Sequence, residues 1–284
     1  MARMLPPVLA DGLATPIGLG ANIANTERRA IIERHLRRVN PSWTPRQVRA
    51  AAREAFDSYA RYWIESLRLP WLSKRAVAAG FDLTGFEHVL TAKEAGNGVI
   101  LALPHLGGWE WAGRWMVDKG HPLTVVVERV EPPEVFNWFV DLRQALGMTV
   151  VPLDTDAGRV VMRALRENQI VCLLCDRDLQ GGGVEVEFFG ERTTLPAGPA
   201  MLGLRTGAAI LPVGCYFTDR VHGHEAVVRP PIPTERRGSL REDVARVTQA
   251  LAVELEHLIR RAPEQWHLFQ PNWPSDPGFG QKPS

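Results

Sequence analysis

The residues best placed to do chemistry lie in the stretch ILALPHLGGWEWAG, Ile100 to Gly113. An apolar run ends at Pro104 and His105, two glycines follow, and Trp109, Glu110 and Trp111 open a helical pattern. In a parallel sheet, functional groups collect at the carboxyl ends of strands, where loops lead into the next helix. A histidine there, with one ring nitrogen bonded to a carboxylate, keeps its other nitrogen free as a base. Glu110 follows His105 in an H-x4-E spacing, about one turn beyond it if the helix starts near Gly108. Backbone N–H groups from Gly107 to Trp109 would face a developing negative charge, as an oxyanion site requires. The same motif also reads as a strand-end histidine that caps the next helix.

Asp176-Arg177-Asp178 is the second constellation, after the apolar run QIVCLLC and before Gly181-Gly182-Gly183. Two strand ends of one sheet can lie side by side, which would bring Asp176 to His105. The triplet also has the D-x-D form with which metal-dependent glycosyltransferases hold a divalent ion on a nucleotide-sugar diphosphate, and it reads equally as a polar loop. Glu128-Arg129 ends another apolar run. Arg143, on a helical stretch with apolar neighbours, is either a surface side chain lying along its helix or a ligand for phosphate or carboxylate. Three strand ends carrying ionisable groups on one rim weigh more than any of them singly.

Other signals lose ground. Cys172 and Cys175 have C-x-x-C spacing, but on a strand they point to opposite faces and read as core thiols. His222-Gly223-His224 lacks a third ligand at useful spacing and reads as a turn. There is no G-x-S-x-G elbow, no Walker A loop and no G-x-G-x-x-G after a strand.

The elements that must position these groups follow an α/β rhythm. Up to about residue 75 the chain reads as helices. Thr44-Pro45-Arg46-Gln47 has the form of a capping box with Pro at the first helical position. Val48, Ala52, Phe56, Tyr59, Trp63 and Leu67 then mark an amphipathic stripe, which Pro70 ends. From Gly96, GVILALP, LTVVVERV, MTVVPL, QIVCLLCDRD, AAILPVGCYF and HEAVVRPPI read as strands alternating with helices, and REDVARVTQALAVELEHLIRRAPEQW as a long closing helix. Apolar strands alternating with helices predict an α/β fold with a mainly parallel central sheet flanked by helices. We expect one domain over 1–284, with a helical extension (1–80) before an α/β core (81–284).

The 284 residues are 45% hydrophobic and carry a net charge of +1, so the overall field implies no nucleic-acid partner. Between Glu27 and Arg75, however, twelve basic residues face five acidic ones. With Trp43, Trp63 and Trp71 among them, these helices suit an anionic membrane surface or, alternatively, a plain helical cover. Three cysteines fit a reducing compartment. No apolar run approaches the roughly 20 residues of a membrane span, and the N-terminus does not read as a signal peptide.

Taken in order, LPHLGGWEWAG, VVVERV, FVDLRQALGMTVVPL, CDRDLQGGGVEVEFFGERTTLPAGPAMLGLRTGAAILPV and the tail WHLFQPNW resemble the bacterial lipid A acyltransferase superfamily and its phosphatidylinositol mannoside acyltransferase branch. The H-x4-E motif is similar to the H-x4-D/E motif of glycerolipid acyltransferases. The resemblance implies a glycerolipid-acyltransferase-like fold and a peripheral enzyme on the cytoplasmic face of the membrane. It implies acyl-CoA as co-substrate, with no other cofactor and no metal. The implied reaction carries a long acyl group, palmitoyl, to the mannose 6-hydroxyl of phosphatidylinositol mono- or dimannoside; a lipid A precursor is the alternative acceptor. It makes His105 the base, Asp176 its dyad partner and Glu110 the H-x4-D/E carboxylate, with Glu128, Arg143, Arg177 and Asp178 binding substrate. Which of Glu110 and Asp176 contacts the imidazole stays open at this point.

Overall fold

The computed structural model describes residues 7–178, 181–220 and 222–280. It opens with three helices, α1 (Pro7–Ala24), α2 (Thr26–Val39) and α3 (Pro45–Arg68). Thr44 and Gln47 close the capping box at the start of α3 from both sides. The stripe on α3 begins as expected, with Val48, Ala52 and Phe56 buried, but Leu67 is exposed. Steps of four overrun the 3.6-residue turn, so the buried face passes to Tyr62, Glu65 and Ser66.

A short helix α4 (Lys74–Ala79) leads to β1 (Phe81–Thr84) and α5 (Phe86–Glu94). The alternation then runs β2 (Val99–Leu103), α6 (Trp109–Asp118), β3 (Leu123–Val127), α7 (Pro133–Ala145), β4 (Thr149–Pro152), α8 (Ala157–Arg166) and β5 (Ile170–Leu174). It continues through β6 (Val184–Phe188), β7 (Glu191–Leu195), α9 (Gly198–Thr206), β8 (Ala209–Phe217), β9 (His224–Val228) and α10 (Leu240–Arg261). Seven strands form one sheet in the order β1-β9-β8-β2-β5-β3-β4. Strands β2, β3, β4, β5 and β8 are parallel, while β9 runs antiparallel to β8 and takes β1 with it.

The mainly parallel α/β reading therefore holds, with three additions. Strand β1 went unread because FDLT is four residues long and lacks an apolar run. The antiparallel hairpin β6–β7 lay within a stretch assigned no element. Helix α10 stops at Arg261, and a 3-10 turn at Pro263–Gln265 hands over to an irregular tail.

Each sheet face carries its own core. Ile100, Ala102, Val171 and Ile210 pack under α8, α9 and α10. Leu101, Leu103, Val125 and Val213 pack under α5, α6 and α7. Cys175 joins the first core and Cys172 borders the second, so the two thiols do occupy opposite faces. Both faces of β2 are covered, and all five of its residues are buried. Among the described residues, no helix is long and apolar enough to cross a membrane.

Register sets what happens at the sheet's rim. Leu103 pairs with Leu174, and Cys175 donates its N–H to the Leu103 carbonyl (2.8 Å), so β2 and β5 end side by side. The chain leaves β2 through Gly107, whose φ of +58° and 2.4 Å approach of an added Cβ to the Cys215 carbonyl oxygen exclude a side chain. Gly107→Ala is expected to cost about 2 kcal/mol, a fall in melting temperature of roughly 4 °C or more. An unchanged thermal melt would contradict that account of the turn.

Candidate active site

The two adjacent strand ends bring His105 and Asp176 together. His105 Nδ1 lies 2.6 Å from Asp176 Oδ1, and the His105 backbone N–H donates to Oδ2 at 2.9 Å. The indole N–H of Trp266 donates to the same Oδ2 at 2.7 Å, and the Asn272 side-chain amide holds the Asp176 carbonyl at 3.1 Å. Asp176 is wholly buried, whereas 16% of the His105 side chain reaches the surface. The imidazole is thus the exposed end of the pair. Its Nε2 has no hydrogen-bond partner among the described residues, the arrangement a general base needs.

Burial pushes the Asp176 carboxyl up, but the His105 charge and the hydrogen bonds from His105 and Trp266 outweigh it and bring it down to about 2. Asp176 therefore stays an anion and fixes the proton on Nδ1. His267, which donates its backbone N–H to the His105 carbonyl (2.7 Å), is buried against the aromatic rings of Tyr59, Tyr62 and Trp109. Burial first, and then the neighbouring His105, lower it to about 3, so it stays neutral beside the base.

Glu110 is placed elsewhere. It opens α6, where Arg143 of α7 grips its Oε1 at 2.6 Å and the Tyr62 hydroxyl donates at 3.2 Å. Glu110 holds no bond to the imidazole; Asp176 is the carboxylate that does. Glu110 and Arg143 are also the charged pair in the wall of an otherwise apolar cleft. The cleft lies between the sheet and α5, α6 and α7, and is otherwise lined by groups such as Leu101, Leu103, Val125, Trp115 and the thiols of Cys172 and Cys215. Burial disfavours the Arg143 charge, yet Glu110 holds the guanidinium above its usual range. Burial and the Glu110 charge push the Tyr62 phenol up.

At the rim, Arg177 bonds Glu128 at 2.8 Å and also reaches the Gln270 side chain. Asp178 turns away to hold the Gly181 and Gly183 N–H groups at 3.1 and 2.8 Å. The two carboxylates of the D-x-D triplet thus serve separate partners. Among the described residues, no group of three His, Cys, Asp or Glu side chains could hold a metal ion. His224 is no half-site either: its Nε2 sits 2.7 Å from Glu65 and its ring stacks on Trp111. The N–H of Gly107 is taken by the Gln265 carbonyl (2.9 Å), which leaves Gly108 and Trp109 as the amides opening α6.

The family model for bacterial lipid A biosynthesis acyltransferase matches residues 1–275. The chain belongs to the bacterial lipid A biosynthesis acyltransferase family. It is 41% identical over 243 residues to the phosphatidylinositol mannoside acyltransferase of Mycobacterium tuberculosis, covering 84% of this chain and 74% of that protein. It is 37% identical over 283 residues to the enzyme of the same name from Mycolicibacterium smegmatis, covering 97% and 89%. The lipid A biosynthesis acyltransferase of Haemophilus influenzae is 24% identical over 270 residues, covering 94% and 82%. The chain is therefore an enzyme that transfers acyl groups.

In this acyltransferase the residues singled out at three strand ends do share one rim. His105 and Asp176 form a pair, and Glu128 joins Arg177 beside them. Arg143 joins Glu110 in the cleft wall. Trp266, Asn272, Tyr62 and Gln270 were not foreseen as site residues. The tail WHLFQPNW carried the only signal for three of them, an unusual density of Trp and amide side chains in a segment without helical or strand periodicity.

Asp176→Asn keeps the shape and removes the charge, so activity is expected to fall about 10³-fold, within the span of general base catalysis. A carboxyl lowered from about 3.9 to about 2 adds stability that is present above pH 4 and lost as pH falls through 2. The stability difference between wild type and Asp176→Asn is therefore expected to shrink from pH 5 to pH 2, by about 2 to 3 kcal/mol. Denaturant melts across that range measure it; a pH-independent difference would refute the charged assignment.

Proposed function

We propose that this acyltransferase uses acyl-CoA to acylate the 6-hydroxyl of a mannose on phosphatidylinositol mono- or dimannoside, with palmitoyl as the transferred group. The His105–Asp176 contact of 2.6 Å, buried at Asp176 and open at His105, is the observation that carries the reading. His105 Nε2 takes the proton of the acceptor hydroxyl. The oxygen attacks the thioester carbonyl, whose oxyanion faces the Gly108 and Trp109 amides. As the tetrahedral intermediate collapses, the carbon–sulfur bond breaks and His105 returns the proton to the coenzyme A thiolate. The chemistry requires neither an acyl-enzyme nor a metal, and acyl-CoA enters as co-substrate.

The apolar cleft suits the acyl chain. Its lining draws on β1, β9, β8, β2, β5 and β3, five inter-strand gaps of about 4.8 Å, or about 24 Å in all. An extended hydrocarbon with C–C bonds of ~1.5 Å advances about 1.25 Å per carbon, so the cleft has the reach of a long-chain acyl group. Glu128 and Arg177 supply polar groups at the rim for the acceptor, Asp178 holds the glycine loop beside them, and Arg143 neutralises Glu110 where the chain would pass. The two mycobacterial relatives favour a phosphatidylinositol mannoside over a lipid A precursor as acceptor.

Coenzyme A thiol release from palmitoyl-CoA tests the reading. Release is expected to require the phosphatidylinositol mannoside, to be unaffected by EDTA and to vanish in His105→Ala. Release with a lipid A precursor instead overturns the acceptor, and release without any acceptor leaves only thioester hydrolysis.

The helices of residues 1–80 are the part we assign to the membrane, as a peripheral attachment on the cytoplasmic face; residues 1–6 lie outside the described residues. Ile17, Ile23, Leu67 and Trp71 are exposed there, as are Arg46, Arg49 and Arg53, which share one face of α3. Trp63 is turned inward instead, stacked on Trp138, and Trp43 packs against the α2–α3 core. Replacing Arg46, Arg49 and Arg53 with Glu is expected to weaken binding to vesicles containing phosphatidylinositol about 100-fold, with roughly 1 kcal/mol lost per arginine. Equal binding to neutral and anionic vesicles would remove the electrostatic part of this assignment.

A further inference from the structure

Three tryptophans are buried with their indole N–H groups bonded. Those of Trp111 and Trp273 donate to main-chain carbonyls, of Val77 and Phe188. Trp266 alone of the three donates to a side chain, and that side chain is Asp176. We infer that Trp266 is a positioning residue for the reaction: its N–H holds Asp176 Oδ2 so that Oδ1 meets His105 Nδ1 and the imidazole turns Nε2 toward substrate. This rests on the reading of His105 as the base.

The geometry explains why the carboxylate needs such a hold. Asp176 has no exposure, so no solvent replaces a lost partner. Without Trp266, Oδ2 keeps only the His105 backbone N–H, and the carboxylate gains freedom to turn about its last bond. Trp266 itself cannot drift. Its segment pairs with the residues around the base, through Gly107 N–H to the Gln265 carbonyl and His267 N–H to the His105 carbonyl. Its ring is wedged among His35, Phe188, Phe189 and Trp273.

The far end of the tail is locked as well. The buried Asp276 carboxylate accepts from Asn272 and Trp273 N–H groups at 3.0 and 3.1 Å, and from Arg34 and Arg38 of α2 at 3.2 and 2.7 Å. His35 Nε2 approaches it at 3.2 Å. Asn272, held there, reaches back to the Asp176 carbonyl. The tail thus grips Asp176 at both its main chain and its side chain.

Trp266→Phe and Trp111→Phe form a matched pair, each keeping an aromatic ring in the core and losing one buried N–H bond. Both are expected to lower the melting temperature by a few degrees. Only Trp266→Phe should lower kcat, by about 10- to 100-fold, with KM for acyl-CoA and acceptor within about twofold. Its acid limb of kcat/KM should also move to higher pH, because a carboxylate that has lost a donor lets the pair take up its proton more readily. If Trp266→Phe does not fold, benzothienylalanine at position 266, which has the shape of indole and no N–H, gives the same readout. Trp266 variants that match Trp111→Phe in kcat and pH profile overturn the inference. His105→Ala in the same assay separates the two claims: residual full activity there would refute the base itself, whereas its loss leaves Trp266 judged on its own variants.

Discussion

One buried anion organises this molecule. A carboxylate withdrawn entirely from water is costly, by several kcal/mol even after relaxation, unless donors surround it. Asp176 has four hydrogen-bonding contacts around it: the imidazole, the His105 N–H, the Trp266 indole and, at its carbonyl, the Asn272 amide. Each donor demands a piece of architecture. The imidazole and the His105 N–H require β2 and β5 to be neighbours in register. The indole and the amide require the tail after α10 to return across the rim. The positive φ at Gly107 then lets the chain pass closely under Cys215 without disturbing either.

A second buried charge shows how differently two carboxylates near one histidine can be used. Glu110 enters the first turn of α6 and is drawn toward α7 and α3 by Arg143 and Tyr62. Its partner is a fixed cation that cannot give up its proton, so the pair neutralises the wall of an apolar cleft rather than moving protons. Asp176 faces an imidazole whose other nitrogen is free to take and return a proton. The partner, more than the carboxylate, separates a structural pair from one suited to catalysis.

Much of this was legible in the residues themselves. The capping box at Thr44, the apolar runs that became β2, β3, β4, β5, β8 and β9, and the strand-end positions of His105, Glu128 and Asp176 are all local patterns. The contest between Glu110 and Asp176 was not decidable, because spacing fixes where a side chain starts on a helix and says nothing of which distant arginine will claim it. Arg143 lies 33 residues from Glu110. Trp266 and Asn272 lie 90 and 96 residues from Asp176, and Asp276 lies 241 from His35. Contacts at such separation leave no periodicity to read. Strand β1 and the β6–β7 hairpin failed for a different reason: strands of four or five residues with one buried face carry too little pattern to distinguish strand from loop.

The same long-range contacts remove the independence of the helical extension. Helix α2 presents Arg34, His35 and Arg38 to Asp276; burial lowers the His35 pKa, against the pull of Asp276 and the Leu268 carbonyl, which face its two ring nitrogens. Arg38 also rests on the Trp273 ring and bonds Glu191 of the hairpin. Helix α3 meets the core separately, through Tyr62 to Glu110 and through Glu65 to His224. Two ends of the chain that look like appendages in sequence therefore brace the dyad from one side and the cleft wall from the other. Any surface on which α2 and α3 rest is held at a set distance from His105, since the helices cannot move without pulling on Asp276 or on the Glu110 pair. The rim that carries His105 and the helices we assign to a membrane surface are parts of one bonded framework.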